Sequence, residues 1–305
     1  MNKTVKILML VSIFSIFLFG SSSVFAKEVS QGEVGAMSQP MGWETFEASW
    51  LIGHQVYSPY GGELGQVEDL MVDRTDGHIA LVILSGVQGF GAEYVAAPFS
   101  ALERTGEDTF QLNFGGQYPA MVPNGVYEDP YAYLLSENMS TVGLSKIPSR
   151  IDPLWADSLY RFYGQTPYWT EGRAVPPDIM AYRTAEPSIL NSLLMGKTAP
   201  VLMGANIQFK NGKAEARIND LVIDSKDGRV AFLVLDRVPG RGEEVAVPFG
   251  ELSMSGKTFV LNTTGERLAT APSFDQYSDM NNFKWAEQVY KFFSQKPYWS
   301  EEGTS

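Results

Sequence analysis

Cysteine is absent from the 305 residues of the chain, and histidine occurs only twice. Without cysteine the chain has no disulfide bond, no thiolate metal site and no thiol nucleophile. The two histidines, His54 and His78, restrict every scheme that needs a general base. We therefore expect no catalytic residue, no cofactor and no metal site, and we expect both histidines at the surface. The chain is interpreted as a protein that is not an enzyme.

Positive charge is also scarce. The chain has 23 lysines and arginines against 35 aspartates and glutamates, which gives a formal net charge of −12. Nucleic acids and anionic lipid headgroups are polyanions that are bound by basic surfaces. An acidic surface therefore argues against nucleic acid as a partner.

Only one long hydrophobic run occurs, and it lies at the N-terminus. Residues 7–20, "ILMLVSIFSIFLFG", follow Lys3 and Lys6 and precede "SSSVFA", which ends at Ala26. These features are typical of a secretory signal peptide over 1–26, cleaved after Ala26 and followed by a linker over 27–46. An uncleaved anchor is the alternative, but the run is short against the roughly 20 residues that span a bilayer. We expect an exported protein, periplasmic or otherwise extracytoplasmic, with no stable membrane span.

The rest of the chain contains an internal repeat. With a constant offset of 151 residues, Gly53 aligns with Gly204, Asp69 with Asp220 and Gly77 with Gly228. The first copy spans 47–116, with an insert and helical tail over 117–175. A connecting segment over 176–198 leads to the second copy at 199–264, which has its own helical tail at 265–305. The chain is therefore a duplication.

Each copy is predicted to be rich in β-strands. The apolar segments "HIALVIL" and "RVAFLVL" are rich in β-branched residues and follow the turn sequences "DRTDG" and "DSKDG". The apolar phase of the preceding strand shifts at Asp69, and again at Asp220, which predicts a β-bulge. The aspartates of these segments lack the late glutamate of a calcium loop, so we assign them to turns and bulges.

The two tails end alike. "WADSLYRFYGQTPYW" at 155–169 and "WAEQVYKFFSQKPYW" at 285–299 share eight of fifteen residues, and their aromatic residues recur at helical spacing. This spacing predicts an amphipathic helix in each tail. The aromatic stripe packs against a barrel in one interpretation and binds a ligand or partner in the other.

Residues 48–102 carry the features of a known family. The residues Gly53, Gly65, Asp69 and Gly77, followed by "APFSAL" at 97–102, resemble the PRC-barrel family, and 202–252 resemble a more diverged member in which Ala216 replaces a glycine. The resemblance implies a mainly β fold with α tails: two small antiparallel PRC-type β-barrels, each followed by an amphipathic helix. It also implies a barrel that serves as a docking surface for another protein.

The expected function follows from these observations. The first hypothesis is a non-enzymatic exported adaptor or assembly protein that acts through protein–protein contacts in the cell envelope. The alternative is a protein that binds a small molecule or glycan in the cleft between the repeats, using the aromatic tails. A hydrolase ranks last because a nucleophile and base cannot be assembled. The candidate interaction surface comprises Val87, Phe90, Tyr168, Trp169, Tyr298 and Trp299.

Overall fold

The computed structural model describes residues 43–86, 92–115, 129–170, 177–183, 201–212, 215–256, 258–276 and 279–300. The predicted signal peptide, most of the predicted linker, and the candidate contact residues Val87 and Phe90 lie outside this part. In the part that is described, no helix is long and apolar enough to cross a bilayer.

Strands dominate the described residues, and short helices connect or cover them. In chain order the elements are β1 (Thr45–Glu47), α1 (Ala48–Leu51), β2 (Gln55–Tyr57), β3 (Glu63–Asp73), β4 (Ile79–Ser85), β5 (Tyr94–Pro98), β6 (Leu102–Arg104), β7 (Phe110–Leu112), α2 (Pro130–Glu137), α3 (Met139–Val142), β8 (Gly143–Leu144), α4 (Pro153–Phe162), β9 (Ile179–Ala181), β10 (Asn206–Phe209), β11 (Glu215–Asp224), β12 (Arg229–Asp236), β13 (Val245–Pro248), β14 (Leu252–Ser255), β15 (Thr258–Leu261), α5 (Gly265–Leu268) and α6 (Phe283–Phe293). Single 3₁₀ turns follow β5, β13 and α6, at Phe99–Ala101, Phe249–Glu251 and Tyr298–Ser300.

The strands form one sheet for each repeat. The first sheet has the order β6-β7-β2-β3-β4-β5-β8, with β9 also paired to β3. The second has the order β13-β12-β11-β10-β15-β14, with β1 also paired to β11. The mainly β fold is thus confirmed.

The prediction of two antiparallel barrels is wrong in two respects. First, β2 pairs with β7 and β10 with β15 in parallel, while the remaining pairs are antiparallel. Second, neither sheet closes among the described strands, because the first and last strands of each order are not paired there. The outer edge of β5 is already taken by β8 and packs against α4, and α6 packs against β13.

The bulges and turns lie where the sequence predicts them. The β3–β4 pairing shifts register between Val67 and Asp69, and the β11–β12 pairing shifts between Ile218 and Asp220. At each bulge the aspartate Oδ1 accepts the next backbone N–H at 2.7 Å, so a donor left without a ladder partner is satisfied. In the hairpin turns, the carboxylates of Asp73 and Asp224 accept the backbone N–H two residues later.

Helices α4 and α6 lie within the predicted tails and pack on their own sheets. Asp152 caps the start of α4 by accepting the N–H of Leu154 at 2.8 Å. Inside the sheets, the hydroxyl of Tyr160 donates to the carbonyl of Ala80 at 2.7 Å, and that of Tyr290 donates to Ala231 at 3.0 Å. The aromatic face of each helix therefore covers the sheet of its own repeat.

The two repeats exchange strands. Strand β1, which leads into the first repeat, pairs with β11 of the second, with Thr45 opposite Asp224. Strand β9, which leads into the second repeat, pairs with β3 of the first, with Ile179 opposite Asp73. Asp73 and Asp224 are equivalent at the 151-residue offset, so the two exchanged strands occupy matching places. Strand β9 lies in the predicted connecting segment, and β1 lies at the boundary between the predicted linker and the first repeat.

The hairpin turns of the two repeats also meet each other. The N–H of Ile79 donates to the carbonyl of Gly228 at 2.7 Å, and the N–H of Val230 donates to the carbonyl of Gly77 at 2.8 Å. Both glycines have positive φ, +86° at Gly77 and +64° at Gly228. A Cβ at Gly77 would lie 2.9 Å from the ring of Phe249, and one at Gly228 would lie 3.0 Å from Phe99. The junction requires glycine for both backbone angle and space.

Gly77→Ala is expected to destabilise the protein by more than the about 1–3 kcal/mol that a left-handed backbone angle costs a residue with a Cβ. The extra loss comes from the ring of Phe249, which has to move. Gly53→Ala is the matched control, because Gly53 has a similar φ of +89° and nothing within 4 Å of its Cβ position. Urea unfolding of both variants measures the difference, and equal losses would contradict the assigned contact.

Candidate functional site: the cleft between the repeats

A cleft with a volume of about 460 Å³ lies where the first repeat meets the β11–β12 turn of the second. This volume falls within the roughly 300–1,000 Å³ of small-molecule sites. The first repeat supplies most of the wall, and the second supplies its turn. The lining residues are His78, Ile79, Phe99, Ser100, Leu102, Glu103, Asn113, Tyr160, Thr166, Tyr168, Ser225, Lys226, Asp227 and Gly228.

The histidine in the wall is held by three neighbours. The ring of Tyr168 stacks on His78 with centroids 4.0 Å apart and an interplanar angle of 18°. Arg229 Nε donates to His78 Nε2 at 3.0 Å, and Asp76 Oδ2 lies 2.8 Å from Nδ1. Nε2 therefore accepts a hydrogen bond from a neighbouring arginine. The ring thus serves as an ordered wall.

The expectation that both histidines lie at the surface is wrong. Their side chains are 12% exposed for His78 and 17% for His54. His54 packs against the ring of Trp50 with centroids 4.4 Å apart, and against Phe110 at 5.7 Å. Ring contacts therefore cover most of the surface of each imidazole. Within the described residues, no hydroxyl donates a hydrogen bond to either ring.

Several polar groups of the cleft are open to a ligand. Within the described ranges, the side chains of Ser100, Glu103 and Thr166 make no hydrogen bond or ion pair. Asn113 uses its Oδ1 to accept the N–H of Gly115 at 2.8 Å. The three open side chains lie on the 3₁₀ turn after β5, on β6 and in the segment after α4, so separate elements position them.

One of the residue differences between the repeats leaves space here. The equivalent junction is the one where the β3–β4 turn of the first repeat meets the second repeat. There, Arg74 extends to the carboxylate of Asp178 and to the sulfur of Met254. The residue equivalent to Arg74 in the cleft is Ser225, whose hydroxyl reaches only the carbonyl of Glu44 at 2.9 Å. A serine cannot span the gap that the guanidinium fills on the other side. The alignment of the two repeats shows that a serine replaces an arginine at this position. The sequence alone does not show that this position borders a cleft.

The predicted interaction residues of the tails are partly buried against the core. The hydroxyl of Tyr168 donates to Asp73 Oδ2 at 3.1 Å, and that of Tyr298 donates to Asp224 Oδ2 at 2.8 Å. Burial is the main cause that raises the pKa of both hydroxyls above its ordinary value, and the nearby carboxylate raises it further. Trp169 packs edge-on to Tyr160 and Tyr168, and Trp299 packs on Trp43 and Tyr290. Of these four tail residues, only Tyr168 lines the cleft.

Tyr298→Phe is expected to destabilise the protein by about 1–3 kcal/mol, because the buried carboxylate of Asp224 loses a donor. The ring and its packing remain, so the loss isolates the hydrogen bond. Tyr94→Phe is the control, since its hydroxyl meets the exposed carboxylate of Glu93 at 3.3 Å. Thermal unfolding of the two variants should separate them, and an unaltered midpoint for Tyr298→Phe would show that the hydroxyl is not needed.

A second group of acidic residues lies behind the exchanged strands. Asp220 Oδ1 accepts the hydroxyl of Tyr182 at 2.8 Å and the N–H of Ser49 at 3.1 Å. Asp69 Oδ1 accepts the N–H of Arg183 at 2.8 Å, while its Oδ2 is buried and has no partner among the described residues. In the same part of the chain, no group of three or more histidine or carboxylate side chains could hold a metal ion.

Comparison with protein-family models identifies a family. The family model described as the PRC-barrel domain matches residues 44–117 and again residues 202–268. The first range contains β1 to β7 and the second contains β10 to α5. No curated protein matches the chain.

Proposed function

The chain is a tandem PRC-barrel protein, and from that premise we propose that it is an exported, non-enzymatic protein that acts by binding, with the cleft between its repeats as the recognition site. Export is inferred from the N-terminal sequence. The binding function is inferred from the cleft.

The observation that supports this function best is a set of open polar groups on a fixed frame. Ser100, Glu103 and Thr166 face a cleft of about 460 Å³ and have no partner among the described residues. The exchanged strands and the paired turns hold the two walls of the cleft together. Binding costs less free energy when the groups that contact the ligand are already ordered.

Tryptophan fluorescence tests the proposal. Trp169 does not line the cleft, but its ring lies edge-on to the two lining tyrosines, with centroids 4.9 Å from Tyr160 and 4.8 Å from Tyr168. A compound that enters the cleft should change the emission of Trp169 in a saturable way. The response should vanish in Trp169→Phe. The absence of a saturable response across a panel of saccharides, peptides and organic acids would refute the cleft as the recognition site.

An adaptor function in the cell envelope is the second proposal, and exposed apolar side chains favour it. Leu154 at the start of α4 is 79% exposed, and Tyr60 in the β2–β3 turn is 69% exposed. Contacts with a partner protein commonly use exposed tyrosine and apolar side chains. Affinity capture from envelope extracts should enrich one protein, and Tyr60→Ser, Leu154→Ser or Phe90→Ser should reduce its recovery. Equal recovery with all three variants would contradict this proposal.

A further inference from the structure

We propose that the cleft binds an uncharged polyhydroxylated ligand, one saccharide chain per protein molecule, and that Ser225 keeps the cleft open for it. This inference rests on the proposed function, since it assigns a ligand class to the same recognition site.

The open groups suit a ligand rich in hydroxyls. The carboxylate of Glu103 accepts hydrogen bonds, whereas the hydroxyls of Ser100 and Thr166 both donate and accept them. The amide nitrogen of Asn113, whose Oδ1 is already engaged, adds a donor. A ligand hydroxyl also donates and accepts, so it can pair with each of these groups. A purely apolar ligand would bury them unpaired, which costs free energy for every group.

Charge argues against an anionic ligand. Glu103 and Asp227 line the cleft together with a single lysine, Lys226. Asp227 also pairs with Arg229 at 2.9 Å, and the whole chain carries a formal charge of −12. The field of such a protein repels anions. A cation gains little from Glu103, because an exposed carboxylate in water attracts a charge only weakly.

The cleft also offers apolar surface beside its polar groups. Phe99, Leu102 and Ile79 line it together with the stacked pair of His78 and Tyr168. A saccharide ring has hydroxyls at its edge and C–H groups on its faces, so it matches a wall that contains both rings and hydrogen-bonding side chains. This combination favours a saccharide over a small polar ion.

The difference between Arg74 and Ser225 makes the site one-sided. Arg74 fills the matching junction by reaching Asp178 and Met254. Around the cleft, Glu44 occupies the place of Asp178, because Ser225 bonds the backbone carbonyl of Glu44 as Arg74 bonds that of Asp178. The carboxylate of Glu44 is already paired with Arg104 at 2.6 Å. An arginine at position 225 would place its longer side chain next to this pair and would take up space in the cleft. One ligand per chain follows from this asymmetry.

Isothermal titration calorimetry of the full chain tests the inference. The saccharide probes are cellobiose, maltotriose and N,N′-diacetylchitobiose, and the comparison probes are a lysyl-alanine dipeptide and citrate. We expect saturable heat from at least one saccharide, with one site per chain. Ser225→Arg should abolish it, while the same change at Ser140, an exposed serine of α3 that does not line the cleft, should retain it as the matched control.

A second variant guards against a folding defect in Ser225→Arg. Glu103 is exposed and unpaired in the described part of the chain, so Glu103→Gln should leave the unfolding temperature unchanged and weaken saccharide binding. Full affinity in both Ser225→Arg and Glu103→Gln would overturn both the inference and the proposed function. Binding of the dipeptide or citrate alone, lost in Ser225→Arg, would overturn only the saccharide assignment. No heat from any probe would overturn both.

Discussion

Replacing Trp43 with alanine is expected to destabilise the second repeat by about 3–5 kcal/mol, the usual cost of removing a buried aromatic side chain. Trp43 precedes the first repeat in the chain, yet its ring packs against Phe283 of α6 at 5.5 Å and against Trp299 at 4.9 Å. The next residues reinforce this placement, because the N–H of Thr45 donates to Asn281 at 2.7 Å. The N-terminal segment thus belongs energetically to the other half of the molecule.

Hydrogen exchange shows which of the two repeats is destabilised by Trp43→Ala. In Trp43→Ala the amides of α6 and β11 should lose protection first, ahead of those in β3 and β4. Leu154→Ala provides the control, since its side chain is largely exposed and its removal should leave both sheets protected. Protection lost first in the first repeat would contradict the assigned packing of Trp43.

Raising the pH from about 4 to about 8 is expected to remove about 4 kcal/mol of stability through Asp69 alone. Burial is the main cause that raises the pKa of this carboxyl from 3.8 to about 7. A carboxyl with a raised folded-state pKa holds its proton in the folded protein after the unfolded chain has lost it. Its stabilising contribution is therefore complete below pH 4 and falls until the pH exceeds 7. The buried Oδ2, which has no partner among the described residues, is the atom that carries the proton.

Denaturant unfolding of wild type and Asp69→Asn between pH 4 and pH 8 measures this contribution. Asparagine keeps an oxygen that can accept the N–H groups of Leu70 and Arg183, and it has no charge to lose. The stability of wild type relative to the variant should fall by about 4 kcal/mol over the range. Glu47, whose pKa burial also raises to about 7, is present in both proteins, so its effect cancels. Glu137→Gln at an exposed position should parallel wild type, and a constant difference between wild type and Asp69→Asn would refute the assignment.

Local features of the fold could be predicted from the sequence because local residues determine them. The phase shift at Asp69 and the Asp-Gly turns gave the bulges and hairpins, since both depend on a few neighbouring residues. The exchanged strands could not be predicted. Each has three residues, and its partner is chosen by contacts with residues far along the chain.

The cleft escaped prediction for a related reason. Sequence alignment shows that Arg74 and Ser225 are equivalent, but only the facing turns make that difference a cavity on one side. The lining groups Ser100, Glu103 and Thr166 have no motif of their own. Tyr168 was predicted as an interaction residue because the end of its tail is repeated in the second copy. In the structure it lines the cleft, and its hydroxyl donates a hydrogen bond to the carboxylate of Asp73.

The hydrogen bond between Thr45 and Asn281 joins residues 236 positions apart. A ribosome must therefore synthesise almost the whole chain before the first strand can find its place. Contacts of such long range form slowly, because loop closure precedes any gain from pairing. For the export proposed above, this late completion of the fold would leave the polypeptide extended enough to be threaded through a narrow translocation pore.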